Sequence, residues 1–281
     1  MALKVCLDAG HYDKYNRSPA NRNYYESDMV WKLHLYLKEQ LETYGISVVT
    51  TRETQEKDRG LYERGAVSKG CNLFISIHSN AVGNAVNDNI DYPVAYVLLN
   101  GRTDDIGLKL AKVVEEAMQT KQSGRIAKRR GNNGEYYAVL RGANAVGTPA
   151  IILEHSFHTN TKATAWLLKD ANLRKLAQAE ADCIAKHYGI KKTVSVEEDD
   201  NKNSDKSKEA FKPYLVRVSI GDLNIRKGPG TNYATIGKFS GKGVFTIVEE
   251  TEGKGATKWG LLKSYANKKD GWISLDFAKK I

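Results

Sequence analysis

Residues 1–190 alternate two periodicities, and that alternation constrains the fold more than any other feature of the sequence. LKVCLDAG, ISVVTTR, NLFISIHSN, VAYVLL and PAIILEHSF are short apolar or β-branched runs of strand length. Between them lie segments with helical spacing. In ESDMVWKLHLYLKEQLETYG, Val30, Leu33, Leu37, Leu41 and Tyr44 fall on one face ahead of a stop signal at Gly45. LYERGAVSKG reads as a short helix, DDIGLKLAKVVEEAMQ as an amphipathic one, and TKATAWLLKDANLRKLAQAEADCIAKHYG as a long closing helix. Strands that alternate with helices predict an α/β domain with a largely parallel twisted sheet flanked by helices.

The pattern stops at residues 191–212, KKTVSVEEDDNKNSDKSKEAFK, which lack an apolar period and have the composition of a solvated linker. Beyond it, PYLVRV, LNIR, TIGKFS, VFTIVEE, WGLLKS and GWISL are short strands separated by Gly-rich turns. They predict a small all-β barrel over residues 213–281. A chain of 281 residues accommodates this division into two domains of unequal size.

Histidines and acids gather at the predicted strand ends. His11 follows the first strand, His78 ends NLFISIH and Glu154 ends PAIILE. The C-terminal edge of an open α/β sheet is where such folds bind ligands. One turn back along the apolar stripe from Val30 lies Glu26, a carboxylate on a core-facing stripe, costly unless paired or bound to a metal. His11, Glu26 and His78 make a two-His, one-carboxylate set of the kind found in zinc sites that keep a position open for water. Asp13 and Asp28 compete for the carboxylate role, and ordinary half-buried polar residues are the alternative to a metal. Glu154 suits a proton-transferring base and acid, or a strand-end carboxylate paired with Arg141. His155 and His158 are candidates to contact substrate or to orient other groups. His34 and His187 read as surface or internally satisfied residues. Cys6, Cys71 and Cys183 are widely spaced and fit reduced thiols.

DAGH (8–11), Glu26, TR (51–52), LYERGAVSKGCNLFISIHSNA (61–81) and PAIILEHSFHTN (149–160) together resemble the zinc-dependent N-acetylmuramoyl-L-alanine amidases of the amidase 3 type. The resemblance covers residues 1–190, with the motifs in the family order. It implies one zinc ion held by His11, Glu26 and His78, and Glu154 as catalytic acid/base. Residues 213–281, above all LNIRKGPG, are similar to bacterial SH3 domains, which implies binding to cell-wall peptides. Tyr214, Tyr233, Trp259 and Trp272 are its candidate contacts, with core packing as the alternative for each.

The implied protein is a peptidoglycan hydrolase resembling phage endolysins that act on Gram-positive walls. A bacterial autolysin, a sporulation amidase or a zinc peptidase cutting the stem peptide are the alternatives. Net charge is +10, and residues 213–281 hold +6 of it, which suits an anionic wall. Nucleic acid is not the expected partner, since the only basic cluster is GRIAKRRGNN (124–133). No apolar run approaches the roughly 18 residues of a membrane span, so membrane insertion is not expected. Asp8 interrupts the N-terminus before a signal-peptide core forms. Synthesis in the host cytoplasm and action on the wall after release is therefore the expectation.

Overall fold

The computed structural model describes residues 3–132, 134–191, 211, 213–263 and 271–281. The chain divides into two compact units, Met1–Val196 and Glu197–Ile281. The segment read as a linker lies outside the described residues apart from Lys191 and Phe211.

The first unit runs β1 (Lys4–Ala9), α1 (Glu26–Glu42), β2 (Ser47–Thr50), α2 (Leu61–Ala66), β3 (Leu73–Asn80), β4 (Val94–Val97), α3 (Asp104–Met118), β5 (Arg125–Ala127), β6 (Arg130–Gly131), β7 (Gly134–Glu135), α4 (Ala138–Ala145), β8 (Ala150–Phe157), α5 (Thr161–Leu167) and α6 (Asp170–His187). Six strands form one sheet in the order β2-β1-β3-β8-β4-β5. The first four are parallel to one another; β4 runs antiparallel to β8, and β5 parallel to β4.

Both sheet faces are covered, which explains the unbroken apolar runs. Val5, Leu7, Leu73, Ile75, Ile151 and Leu153 pack with the apolar stripes of α1, α3 and α6. The alternate residues Cys6, Phe74, Ala150 and Ile152 pack with Val139, Leu140 and Ala143 of α4. Helices α2 and α4 cross with their backbones nearly touching. A Cβ on Gly142 would come within 1.9 Å of the Tyr62 carbonyl oxygen, so glycine is required at the crossing.

The single closing helix expected from the sequence is two. Lys169 takes an extended conformation between α5 and α6, and the Asn172 side chain donates to the Trp166 carbonyl at 2.9 Å across the break. The edge strand β5, the β6–β7 hairpin and α4 were not visible in the periodicity. The basic GRIAKRRGNN stretch supplies β5 and β6, with Arg125 over the Tyr92 ring at 3.7 Å and Arg129 over Tyr136 at 3.6 Å. Among the described residues no helix is long and apolar enough to cross a membrane.

The second unit comprises β9 (Tyr214–Val218), β10 (Asn224–Arg226), β11 (Thr235–Phe239), β12 (Gly243–Gly253), β13 (Ala256–Lys263), β14 (Gly271–Ser274), a 3-10 turn (Leu275–Phe277) and β15 (Ala278–Lys280). They form an antiparallel seven-stranded sheet ordered β11-β10-β14-β13-β12-β9-β15. Its core is Val216, Val218, Leu223, Ile225, Ile247, Leu262 and Ile273. Of the candidate contacts, Trp259 is buried, Tyr214 and Trp272 are half-buried, and Tyr233 is exposed.

Candidate metal and catalytic centre

The site lies where β1, β3 and β8 end together. Register pairs Asp8 with Ser76, Ser76 with Ile152, and His78 with Glu154. Strand alternation therefore puts Asp8, Ser76, His78 and Glu154 on the α4 side of the sheet. His11 stands two residues beyond β1 with φ at +59°, and Glu26 opens α1. Their side chains converge: one ligand atom each from His11, Glu26 and His78 lies within 4.8 Å of the others.

Glu26 holds the centre together. It is buried, with Oε1 3.0 Å from His78 Nδ1 and Oε2 3.2 Å from His11 Nε2. The Ser79 backbone N–H donates to Oε1 at 2.9 Å and Asn16 Nδ2 to Oε2 at 2.7 Å. Burial opposes its charge, but the bonds from His11 and His78 outweigh that and hold the carboxyl well below its usual range. Its rivals are occupied elsewhere or turned away. Asp28 pairs with Lys14 and accepts from Gln55 at 2.6 Å, and Asp13 is exposed in the loop.

His78 is oriented from behind. Its Nε2 lies 3.1 Å from Ser76 Oγ, which donates to Asp8 Oδ2 at 2.7 Å. Thr51 Oγ1 donates to the other Asp8 oxygen at 2.6 Å, and Arg52 to the Ala9 carbonyl at 2.6 Å. Here the TR pair acts, in a role that residue spacing alone does not disclose. Gly10 completes the seat: a Cβ there would lie 2.3 Å from His78 Cε1.

Glu154 stands beside this triad, with Oε2 buried and lacking a hydrogen-bond partner. Burial, then the neighbouring Glu26 charge, pushes its carboxyl up to about 8. It does not pair with Arg141, whose guanidinium donates to the Glu135 and Tyr136 carbonyls at 3.0 and 2.8 Å. A carboxyl with raised proton affinity and a free buried oxygen is suited to accept and return a proton.

The neighbouring histidines support rather than join the triad. His155 is fully buried, with Nδ1 2.9 Å from the His78 carbonyl and Nε2 2.7 Å from Glu180 Oε1. Burial opposes protonation there, but the Glu180 charge outweighs it and raises the imidazole. Glu180 was missed in the sequence, although it sits on the α6 stripe with Leu173, Leu176, Ala177 and Ile184, the pattern that singled out Glu26. His158 Nδ1 lies 2.9 Å from the Ser79 carbonyl and 3.8 Å from Glu26 Oε2. His34 is buried against the Trp31 carbonyl, whereas His187 lies 3.2 Å from Asp105. Among the described residues the three thiols are free.

The donor set fits a zinc-type ion: two imidazoles and one carboxylate, a buried unpartnered oxygen beside them, and a ring seat that a Cβ would fill.

Known proteins carry the same arrangement of elements. Residues 5–186 match the N-acetylmuramoyl-L-alanine amidase family (Amidase_3), and residues 221–279 match the bacterial SH3 domain. The chain is 28% identical over 198 residues to the endolysin of Bacillus phage SPP1, covering 68% of each. It is 25% identical over 197 residues to the N-acetylmuramoyl-L-alanine amidase CwlM of Bacillus licheniformis, covering 69% of this chain and 72% of that one. The catalytic domain of CwlV, an amidase from Bacillus (Paenibacillus) polymyxa var. colistinus, superposes with a TM-score of 0.56 at 25% identity, over 67% of this chain and 99% of that one. Cwp6 from Clostridium difficile gives 0.59 at 27% identity, over 66% of this chain and 29% of Cwp6. With its α/β unit matched nearly end to end, the chain belongs to the N-acetylmuramoyl-L-alanine amidase family.

Proposed function

We propose that the protein is a phage-type endolysin that hydrolyses the amide between the lactyl group of N-acetylmuramic acid and L-alanine. One zinc ion, held by His11, Glu26 and His78, is its cofactor. The observation that carries this is the convergence of those three donors within 4.8 Å, beside a Glu154 whose Oε2 is buried without a partner. When bound, zinc supplies Lewis-acid chemistry to an amide carbonyl and to water.

The rest is done by the chain. Asn16 and the Ser79 N–H fix Glu26, while Asp8 and Ser76 fix the plane of the His78 ring. Glu154 accepts a proton from the water that attacks the carbonyl carbon. As the carbon–nitrogen bond breaks, it returns that proton to the departing alanine nitrogen, leaving a free carboxylic acid and a free amine.

Residues 1–190 form the catalytic domain, 191–212 a linker, and 213–281 a domain that holds the enzyme on Gram-positive peptidoglycan. The similarity to the SPP1 endolysin supports action on the wall after release from an infected cell. Product analysis on purified Gram-positive walls tests the activity. New L-alanine amino termini with intact glycan, lost on chelation and restored by zinc, are expected. New reducing ends, or amino termini of another residue, would replace this reading with a glycosidase or a peptidase.

A further inference from the structure

A cleft of about 500 Å3 opens beside the donor triad, and Asn16, Arg17, Arg22, Asn84 and His158 are among its lining residues. It is continuous with the triad, because Asn16 Nδ2 lies 3.2 Å from His11 Nε2 and 2.7 Å from Glu26 Oε2. No Asp or Glu lines it, and neither arginine has a carboxylate partner among the described residues.

The loop carrying both arginines is pinned. Ser18 is buried; its hydroxyl donates to the His158 carbonyl and accepts the N–H groups of Ala20 and Asn21 at 3.0 and 3.2 Å. The Ser18 N–H donates to the Tyr24 carbonyl at 3.0 Å. Arg17 Nε donates to the Arg22 carbonyl at 2.9 Å, leaving its terminal nitrogens for other acceptors. Two arginines on a pinned loop thus line a cleft that supplies no counter-charge. A guanidinium is a planar fork of donors that matches a carboxylate.

The substrate offers such a group on one side only. The sugars present hydroxyl and N-acetyl groups, and the lactyl carboxyl is consumed in the scissile amide. Free carboxylates remain on the peptide. We propose that this cleft receives the peptide side of the scissile amide, and that Arg17 and Arg22 select a free carboxylate there over the corresponding carboxamide. The inference rests on the amidase reading and adds which half of the substrate the cleft holds and what it discriminates.

The test uses the full chain and two synthetic muramoyl peptides, identical except for a carboxylate or a carboxamide on the residue after L-alanine. The native protein should favour the acid by about tenfold in kcat/KM, the scale of one hydrogen-bonded charge. Arg17→Gln and Arg22→Gln should each lower that ratio, chiefly through KM on the acid. The double variant should bring it to about one, and Arg22→Lys should retain part of it. Bound zinc, measured alongside, should not change. Equal kcat/KM on the two peptides, or preference for the amide, overturns the inference and leaves the amidase reading standing. Release of no alanine-terminated peptide from either substrate overturns that reading itself.

Discussion

In the α/β unit Asp8, Glu26, Arg52, Arg64, His155 and Glu180 are all buried, and each has a polar partner. In the β unit the buried polar residues, among those described, are Ser240 and Ser274. One unit therefore spends sheet edge and helix stripe on charge, while the other is held by seven apolar side chains and its strand ladder. Buried charge costs several kcal/mol per ion unless geometry and hydrogen bonds compensate. The contrast teaches where buried charge resides: the first unit carries it at sheet edge and helix stripe, and the described residues of the second bury none. Treatments that act on buried charge or metal should accordingly affect the α/β unit alone.

The largest effect should come from Glu154→Gln, which keeps shape but removes the proton acceptor. Turnover on purified walls should fall about 10^3-fold, with zinc content and far-UV circular dichroism unchanged. Loss of zinc instead would make Glu154 a ligand.

Metal removal comes next and discriminates between the units directly. Chelation should abolish activity and lower the melting temperature of residues 1–190, while residues 213–281 should melt unchanged and still bind walls. Zinc at about a thousand times its dissociation constant should restore roughly 4 kcal/mol of stability. A β unit that also responded to chelator would break the comparison.

Gly10→Ala should act through the His78 seat, where the new methyl group would displace the ring. Zinc affinity should fall about 10- to 100-fold, as read by competition with a chelating dye, while the β unit stays folded. Affinity equal to that of the native protein would show that the seat yields.

The last effect is one of acidity. Burial depresses the His34 imidazole to about 4 from its ordinary 6.5. The folded protein keeps His34 neutral, whereas the unfolded chain takes up a proton below about pH 6.5. Stability from this group is thus full above pH 6.5 and declines progressively towards pH 4, by on the order of 3 kcal/mol. Urea melts at pH 7 and 4.5 should show the decline, and His34→Gln should remove this part of it. The β unit contains no histidine, so it has no share in this effect.

What the sequence disclosed follows the same division. β1, β3 and β8 were legible because both of their faces are apolar, and Glu26 because a carboxylate interrupts an apolar stripe. Glu180 carried the same signal but only gains meaning once β8 brings His155 against α6. The Asp8–Ser76–His78 chain was hidden, because its hydroxyls and carboxylate become neighbours only through the register of β1 and β3. Helix α4 escaped detection because its sequence, AVLRGANA, spends Gly142 on contact with α2 rather than on helix propensity. The β-unit strands were legible except β15, whose AKK sequence lacks any alternation.

Strand β4 runs against β8, so it begins at the edge where β3 ends. The connecting residues 81–93 therefore never cross to the far side of the sheet; Ala81, Gly83 and Asn84 instead form part of the cleft wall. A parallel β4 would have required a crossover and carried this stretch away. The reversal leaves a rim that can change in length and composition while the strands beneath it keep their pairing. Related enzymes can diverge in what they admit by editing that rim, without renegotiating how the domain folds.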